Sequence, residues 1–142
     1  LPPEILHLPP GEAAILVDKS AQRLFLFKAT GKKAVTMEKE FVCATGKVNG
    51  DKQHAGDRRT PTGIYFCRRI LLPPRLGNRY GTCAVPLNYP NLVDRRHGRD
   101  GDGIWIHGIN ESRPVKSTQG CVVLRNSDLV YLAGRIRLHI SP

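Results

Sequence analysis

The chain has 142 residues and a formal net charge of +10, from 22 Lys and Arg against 12 Asp and Glu. This length predicts one domain with its own core, and the lack of an 18-residue apolar run argues against a transmembrane helix. No signal peptide is visible in this chain. The positive charge favours a polyanionic partner, but only 6% of residues are aromatic, so we expect no nucleic-acid partner.

The N-terminal part of the chain predicts a lead-in followed by β-strands. Residues 1–12 hold four prolines and little periodicity, so we expect an extended segment before a domain spanning residues 13–142. Apolar runs between Ala13 and Phe27 flank a polar turn, which is typical of a hairpin. A further strand is expected over Lys39–Ala44, followed by a surface loop over residues 45–60.

The middle of the chain is rich in turn signals. Thr60-Pro61-Thr62-Gly63 predicts a turn before a strand over Ile64–Cys67, because proline fixes φ and glycine permits a tight turn. The Pro-, Gly- and Arg-rich segment Leu71–Asp102 is long for a loop in a compact domain. Such a segment is typically functional, and we interpret it as a lid over a site.

The C-terminal residues predict one short helix and a closing strand. Asn126 or Ser127 is expected to cap a helix that ends near Gly134, and Ile136–Ile140 is expected to be a strand. Strands then outnumber helices, and they do not alternate with long helices. The sequence therefore predicts a mainly β, β-sandwich-like domain with one or two short helices.

A histidine and a cysteine stand at the ends of two apolar runs. Gly103–Gly108 places His107 at the end of one run, and the polar turn Ser117–Gly120 delivers Cys121 into the next. A cysteine nucleophile requires an imidazole that accepts the thiol proton, so the pair predicts covalent catalysis. The alternative interpretation is a buried structural cysteine and a half-buried structural histidine.

The remaining cysteines and histidines do not predict a metal centre. Cys43, Cys67 and Cys83 lack the paired spacing of a zinc ribbon, and the histidines also lack ligand spacing, so we expect neither a metal nor a cofactor. Cys43 and Cys67 could face each other and form a disulfide. Alternatively, the three cysteines are reduced core residues.

Several short motifs in this order give the chain a family resemblance. They are Ile15-Leu16-Val17-Asp18 with Gln22-Arg23-Leu24, Ala44-Thr45-Gly46-Lys47, Thr60-Pro61-Thr62-Gly63-Ile64-Tyr65, His107-Gly108 with Gly120-Cys121, and Asn126-Ser127-Asp128-Leu129. In this order they resemble the L,D-transpeptidase catalytic domain (YkuD-type) from about Ala13 to the C-terminus. The resemblance implies a β-sandwich-like enzyme acting on peptidoglycan stem peptides outside the cytoplasm, exported by a signal that this chain does not contain.

The resemblance also implies roles for individual residues. Cys121 would attack the carbonyl before a terminal D-alanine, form a thioester and transfer the acyl group to an amine, with His107 as its base. Gly120 and Cys121 would offer backbone N–H groups to the oxyanion, and Gly108, beside the histidine, is a further candidate backbone group for it. An anionic cell-wall polymer is a further partner that the positive charge would suit.

This chain departs from the common family motif Ser-His-Gly-Cys. It has Thr118-Gln119-Gly120-Cys121, and Val123 stands where the family commonly has arginine. The variant resembles a branch with members that hydrolyse stem peptides, so an L,D-carboxypeptidase is the alternative to a transpeptidase. A non-catalytic, cationic wall-binding module is a second alternative. Five residues are candidates for substrate binding, because arginine binds carboxylates bidentately and the others flank the proposed site: Tyr89, Arg95, Arg99, Thr118 and Gln119.

Overall fold

Two three-stranded sheets organise the chain. The computed structural model describes residues 5, 7–31, 34–77, 80–110, 114, 116–139 and 141–142. Its elements in chain order are β1 (Ala13–Asp18), β2 (Arg23–Gly31), β3 (Ala34–Val42), β4 (Ala84–Pro86), α1 (Leu92–Arg96), β5 (Trp105–Ile109), β6 (Val122–Arg125) and α2 (Asn126–Ala133). These elements confirm a mainly β domain with short helices. Within the described ranges, no helix is long and apolar enough to span a bilayer.

The first sheet is an antiparallel meander in the order β1-β2-β3. The turn between β1 and β2 forms because the Asp18 carboxylate accepts hydrogen bonds from the Ser20 and Ala21 N–H groups, at 3.0 and 3.1 Å. Leu24 and Leu26 alternate along β2 and are fully buried. The hairpin predicted between Ala13 and Phe27 is thereby confirmed.

The second sheet has the order β4-β5-β6, antiparallel between β4 and β5 and parallel between β5 and β6. Ile106, Val122 and Leu124 point to one face and pack in the same core as Leu24 and Leu26 of the first sheet. Helix α2 closes this core with two fully buried leucines. The core therefore lies between two sheets, as the predicted sandwich-like fold requires.

The lead-in is not simply extended. Ile5 is buried and packs with Ala14 and Phe27 on the face of the first sheet that is turned away from the main core, where Leu8 joins them. Residues 1–4 and 6 lie outside the described residues. Both faces of the first sheet consequently carry apolar contacts.

Two strand predictions are wrong. Over Ile64–Cys67, only Cys67 makes a β-bridge, to Leu87. Residues 136–139 form a turn, since Arg137 N–H donates to Ser141 Oγ at 2.7 Å and Ser141 N–H donates to Arg137 O at 2.8 Å. Ile140 lies outside the described residues. In both places isolated hydrogen bonds replace the expected ladder, and two of them join the segments to each other: Cys67 N–H donates to Ser141 O at 3.4 Å and His139 N–H donates to Cys67 O at 2.6 Å.

Helix α2 begins where the sequence predicts, but without the predicted cap. The cap position is Arg125, and no side chain makes a capping hydrogen bond there. Asn126 instead accepts a hydrogen bond from the Thr82 N–H at 3.1 Å and donates to Asn110. This side chain therefore ties the helix start to the second sheet rather than to the helix itself.

All four cysteines lie in the described residues and are reduced. Cys43, Cys67 and Cys83 are buried free thiols, in agreement with the interpretation as core residues. Burial raises the pKa of the Cys43 thiol to about 12 and that of Cys67 to about 11. Cys121 differs from them, because it is partly exposed.

Candidate active site

The parallel register of β5 and β6 brings the predicted nucleophile and base together. His107 pairs with Val123, and successive side chains of a strand point to opposite faces. Cys121 lies two residues before Val123, so it shares the face that carries His107. Ile106 and Val122, one step along each strand, point to the opposite face and into the core.

That face forms one wall of a cleft of about 560 Å3. His107 and Cys121 both line it, together with Thr118 and Gln119 from the nucleophile loop, which we define as Ser117–Cys121. The remaining wall includes Tyr80, Trp105 and Asp102. Tyr80 and Asp102 belong to the predicted lid segment, which contributes to the cleft but also contains a strand and a helix of its own.

His107 is held by the backbone that follows it. Its side chain is buried, and Nδ1 lies 2.9 Å from the carbonyl oxygen of Gly108. A carbonyl only accepts, so Nδ1 carries the proton in this contact, and the lone pair of the neutral imidazole lies on Nε2. Tyr80 packs edge-on against the ring, with centroids 5.2 Å apart. A backbone carbonyl thus takes the orienting role that a carboxylate has in other nucleophile–histidine pairs.

Gly108 has a structural reason to be glycine. A Cβ at this position would lie 2.2 Å from Asn126 Oδ1. The Gly108 N–H donates to Cys83 O at 3.4 Å. The Gly108 N–H is therefore used within the sheet. We expected Gly108 among the backbone groups that bind the oxyanion. Its visible contribution is the carbonyl that contacts His107.

The Cys121 thiol donates to a backbone carbonyl. Sγ lies 3.3 Å from the oxygen of Gly103, which precedes β5. A thiol can make this hydrogen bond, whereas a thiolate has no proton to donate. Ionisation of Cys121 must break this hydrogen bond.

The nucleophile loop is held by its own threonine. Thr118 Oγ1 donates to Cys121 O at 2.7 Å and accepts the Gly120 N–H at 3.1 Å. Gly120 has φ +132°, and a Cβ on it would lie 2.9 Å from Arg59 O, so a side chain is excluded here. The Gly120 N–H was expected to bind the oxyanion, but it donates to Thr118 Oγ1 within the nucleophile loop.

A second threonine supports this loop from behind. The Thr60 hydroxyl accepts the Gly46 N–H at 2.8 Å and donates to Gly120 O at 2.7 Å. Lys19 Nζ in turn donates to Thr60 O at 2.8 Å and to Thr62 Oγ1 at 2.7 Å. The sequence places Thr60 in a predicted turn and in one of the family motifs, but it does not predict this contact with the nucleophile loop.

Three of the five predicted substrate-binding residues lie outside the cleft lining. Tyr89 is buried, and its hydroxyl donates to Asp100 O at 3.0 Å; with Arg95 it lines a separate groove. Arg99 forms ion pairs with Asp94 at 3.1 Å and Asp51 at 3.2 Å. Their binding roles stay predictions, and the structure brings only Thr118 and Gln119 to the side of the cysteine.

One residue of a buried ion pair lines the cleft. Lys52 Nζ contacts Asp57 Oδ1 at 2.9 Å, and its side chain is 3% exposed. Burial alone would raise the pKa of Asp57, but the hydrogen bond from Lys52 and those from nearby backbone N–H groups outweigh it and lower the pKa. Lys52 itself lines the cleft, so this ion pair fixes one of the lining side chains.

Comparisons with known proteins agree with this architecture. Residues 12–140 match the family model YkuD, described as the L,D-transpeptidase catalytic domain. YafK of Escherichia coli (strain K12), provisionally named an L,D-transpeptidase, is 32% identical over 94 residues, which are 66% of this chain and 37% of YafK.

Solved structures show the same fold. Bd1075 of Bdellovibrio bacteriovorus has a TM-score of 0.81 and 35% identity, over 96% of this chain and 50% of that one. Pgp2 of Campylobacter jejuni, described as a helical cell shape determining protein, has a TM-score of 0.80 and 31% identity, over 92% and 46%. The chain thus spans about half the length of these structures and about a third of YafK. The match of a family model to nearly all of the chain shows that it belongs to the L,D-transpeptidase catalytic domain (YkuD) family.

Proposed function

We propose that this domain is a peptidoglycan L,D-transpeptidase with Cys121 as nucleophile and His107 as base. Members of the family act on peptidoglycan stem peptides. His107 Nε2 takes the thiol proton, and Sγ attacks the carbonyl carbon that precedes the terminal D-alanine. The C–N bond then breaks, His107 returns the proton to the leaving amine, and a thioester with Cys121 remains.

The second half-reaction restores the enzyme. The amine of another stem peptide attacks the thioester carbon and loses a proton to His107; the C–S bond breaks, and the departing Cys121 sulfur takes that proton from His107. Transpeptidation therefore exchanges one amide bond for another and needs no external energy source. Thr118 and Gln119, which line the cleft beside Cys121, are proposed to contact the donor peptide.

One observation carries this proposal: the parallel β5–β6 register sets His107 and Cys121 on the same face of one cleft. A structural cysteine would be expected in the core, like Cys43, Cys67 and Cys83. Instead, Cys121 is partly exposed, with a buried histidine beside it whose Nδ1 is held by a carbonyl. In the neutral ring this contact puts the lone pair on Nε2, the atom proposed to take the thiol proton.

Hydrolysis is the alternative fate of the thioester. Water in place of the amine would make the domain an L,D-carboxypeptidase that shortens stem peptides. The variant motif Thr118-Gln119-Gly120-Cys121 is the observation that favours it. Either reaction places the domain outside the cytoplasm, at the cell wall. Because the Pgp2 neighbour is described as determining helical cell shape, we include wall shaping in the proposal.

The proposal is tested with purified tetrapeptide muropeptides and mass analysis of the products. We expect Cys121→Ala and His107→Ala to lower D-alanine release by at least ~1000-fold, because nucleophile and base act as one unit. Matched controls are Cys83→Ala, a buried thiol, and His97→Ala, an exposed histidine. Robust turnover by Cys121→Ala, with circular dichroism like the wild type, would contradict the proposal.

A second measurement separates transfer from hydrolysis. The same reaction is run with a large excess of an added D-amino acid. Exchange of the terminal D-alanine, or cross-linked dimers, is expected of a transpeptidase. Tripeptide as the sole product would show a carboxypeptidase and reverse the order of the two proposals.

A further inference from the structure

The Thr60 hydroxyl bridges two segments that are far apart in sequence. It is buried, accepts the Gly46 N–H at 2.8 Å and donates its own proton to Gly120 O at 2.7 Å. One hydroxyl hydrogen and one lone pair are thus both used within the protein. The carbonyl that it contacts belongs to the residue immediately before Cys121.

The side from which Thr60 approaches determines how the next peptide group is oriented. The peptide bond between Gly120 and Cys121 is planar, and in the usual trans form its C=O and N–H point in opposite directions. Thr60 lines two cavities that are separate from the cleft and is absent from the cleft lining, whereas Cys121 lines the cleft. A Gly120 carbonyl held toward Thr60 therefore turns the Cys121 N–H toward the cleft.

The N-terminal side of Gly120 is held by contacts that do not involve the Thr60 hydroxyl. A Cβ on Gly120 would lie 2.9 Å from Arg59 O, so the loop is pressed against the residues that precede Pro61. The Gly120 N–H is bonded to Thr118 Oγ1. The neighbouring peptide, whose orientation Thr60 controls, is thus the one that presents the N–H of the nucleophile itself.

We propose that Thr60 is a positioning residue for thioester formation: it orients the Gly120–Cys121 peptide so that the Cys121 N–H donates to the oxyanion. The inference rests on the proposed function of Cys121. Without the Thr60 hydroxyl, the peptide can rotate and turn the Gly120 carbonyl oxygen toward the developing negative charge. Removal of one oxyanion donor lowers kcat by about 100- to 1000-fold in enzymes where it has been tested.

The test compares Thr60→Val, which removes the hydroxyl at constant shape, with Thr60→Ser, which keeps it. We expect kcat for D-alanine release to fall about 100-fold in Thr60→Val with KM nearly unchanged, and to stay within about 5-fold in Thr60→Ser. Alkylation of Cys121 by iodoacetamide should proceed at the wild-type rate in both, because that reaction forms no oxyanion. A general structural defect would slow both reactions.

The matched control is Thr45→Val. Thr45 is also buried and lines a cavity with Thr60; its hydroxyl accepts from Gln22 Nε2 at 2.6 Å, and its backbone carbonyl, which the substitution keeps, accepts the Thr118 N–H at 3.4 Å. It should lower the melting temperature and keep kcat within about 3-fold of the wild type. If Thr60→Val does not fold, Thr60→Cys takes its place, because a thiol is a weaker donor than a hydroxyl. Its kcat should lie below that of Thr60→Ser and above about one hundredth of the wild-type value.

Two results would overturn the inference. One is a folded Thr60→Val, or Thr60→Cys in its place, with wild-type kcat; the other is a Thr45→Val with the same kcat loss as Thr60→Val. A wild-type protein that releases no D-alanine contradicts the proposed function instead. In that case crystal structures of the wild type and Thr60→Val decide the positioning separately: a rotated Gly120–Cys121 peptide supports it and an unchanged one refutes it.

Discussion

At the scale of single residues, the surroundings divide the cysteines into two classes. Burial raises the pKa of Cys43 and Cys67 to about 12 and about 11, and it also raises the pKa of Cys83. The thiolate is the reactive form, so these three side chains remain protonated and inert at neutral pH. Cys121 lies partly exposed in a cleft beside an imidazole.

This difference predicts selective labelling. Native protein treated with iodoacetamide at pH 7 should gain one adduct, on Cys121, and denatured protein should gain four. Raising the pH to 9 should leave Cys43 and Cys67 unlabelled, because pH 9 is still below their folded-state pKa values. Peptide mass mapping provides the measurement. Labelling of a core cysteine before Cys121 would contradict the account.

At the scale of elements, separate motifs meet behind the nucleophile loop. Gly46 makes a parallel bridge to Thr118 and donates its N–H to Thr60, and Thr60 donates to Gly120. Lys19, in the turn between β1 and β2, donates a hydrogen bond to the Thr60 carbonyl. These motifs lie far apart in the sequence, but together they hold the nucleophile loop in place.

The close contact at Gly46 yields a sharp prediction. A Cβ at this position would lie 2.5 Å from Arg58 O and 2.9 Å from Thr60 N, both backbone atoms that cannot move aside alone. Gly46→Ala should destabilise the fold by about 1–3 kcal/mol and reduce D-alanine release. Thermal unfolding and the muropeptide assay measure the two effects.

The control for this prediction is Gly31→Ala at the end of β2. The nearest atom to a Cβ there is the Ala34 side chain at 4.0 Å, an ordinary contact. This variant should keep both the melting temperature and the activity. Equal behaviour of the two variants would show that the support at Gly46 is unimportant.

Local signals in the sequence predict some elements well and others poorly. The first hairpin follows from alternating apolar residues and an Asp-centred turn, which need only neighbouring residues. The run Ile136–Ile140 has a similar pattern, yet hydrogen bonds between Arg137 and Ser141 form a turn there. A short apolar run does not specify its partner strand, and here the described residues 136–139 form no strand, although His139 N–H donates to Cys67 O at 2.6 Å.

In the candidate site, too, local sequence signals predict some residues and miss others. His107 and Cys121 could be proposed from residue type and order alone. The hydrogen bond from Thr60 to Gly120 could not, because 60 residues separate them and nothing local indicates the contact. Arg99 was predicted to bind a carboxylate; its structural partners are the carboxylates of Asp94 and Asp51, so the chemistry was anticipated but not the partner.

At the scale of the whole molecule, the net charge of +10 suits a polyanionic wall. Arg68 and Arg95 are exposed and line the same surface groove, which Tyr89 also lines. This groove is separate from the lining of the cleft that holds Cys121. We therefore expect substitutions in this groove and substitutions in the cleft to act independently of each other.

The charge predicts salt-dependent association with isolated peptidoglycan sacculi. Binding measured by co-sedimentation should weaken as NaCl rises from about 50 to about 500 mM, since screening shortens the range of surface charges. The double substitution Arg68→Glu and Arg95→Glu should weaken binding further and flatten the salt dependence. Alkylation of Cys121 should leave binding unchanged. Binding that is indifferent to salt would contradict a polyanion partner.

The central claim is that a stem-peptide acyl group is carried on Cys121. The direct measurement is intact-protein mass spectrometry of the wild type mixed with a tetrapeptide muropeptide and quenched in acid within milliseconds. The account predicts an adduct equal to the substrate less D-alanine, mapped to Cys121 and absent from Cys121→Ala. Release of D-alanine with no adduct on Cys121, at an equal rate in Cys121→Ala, would contradict it.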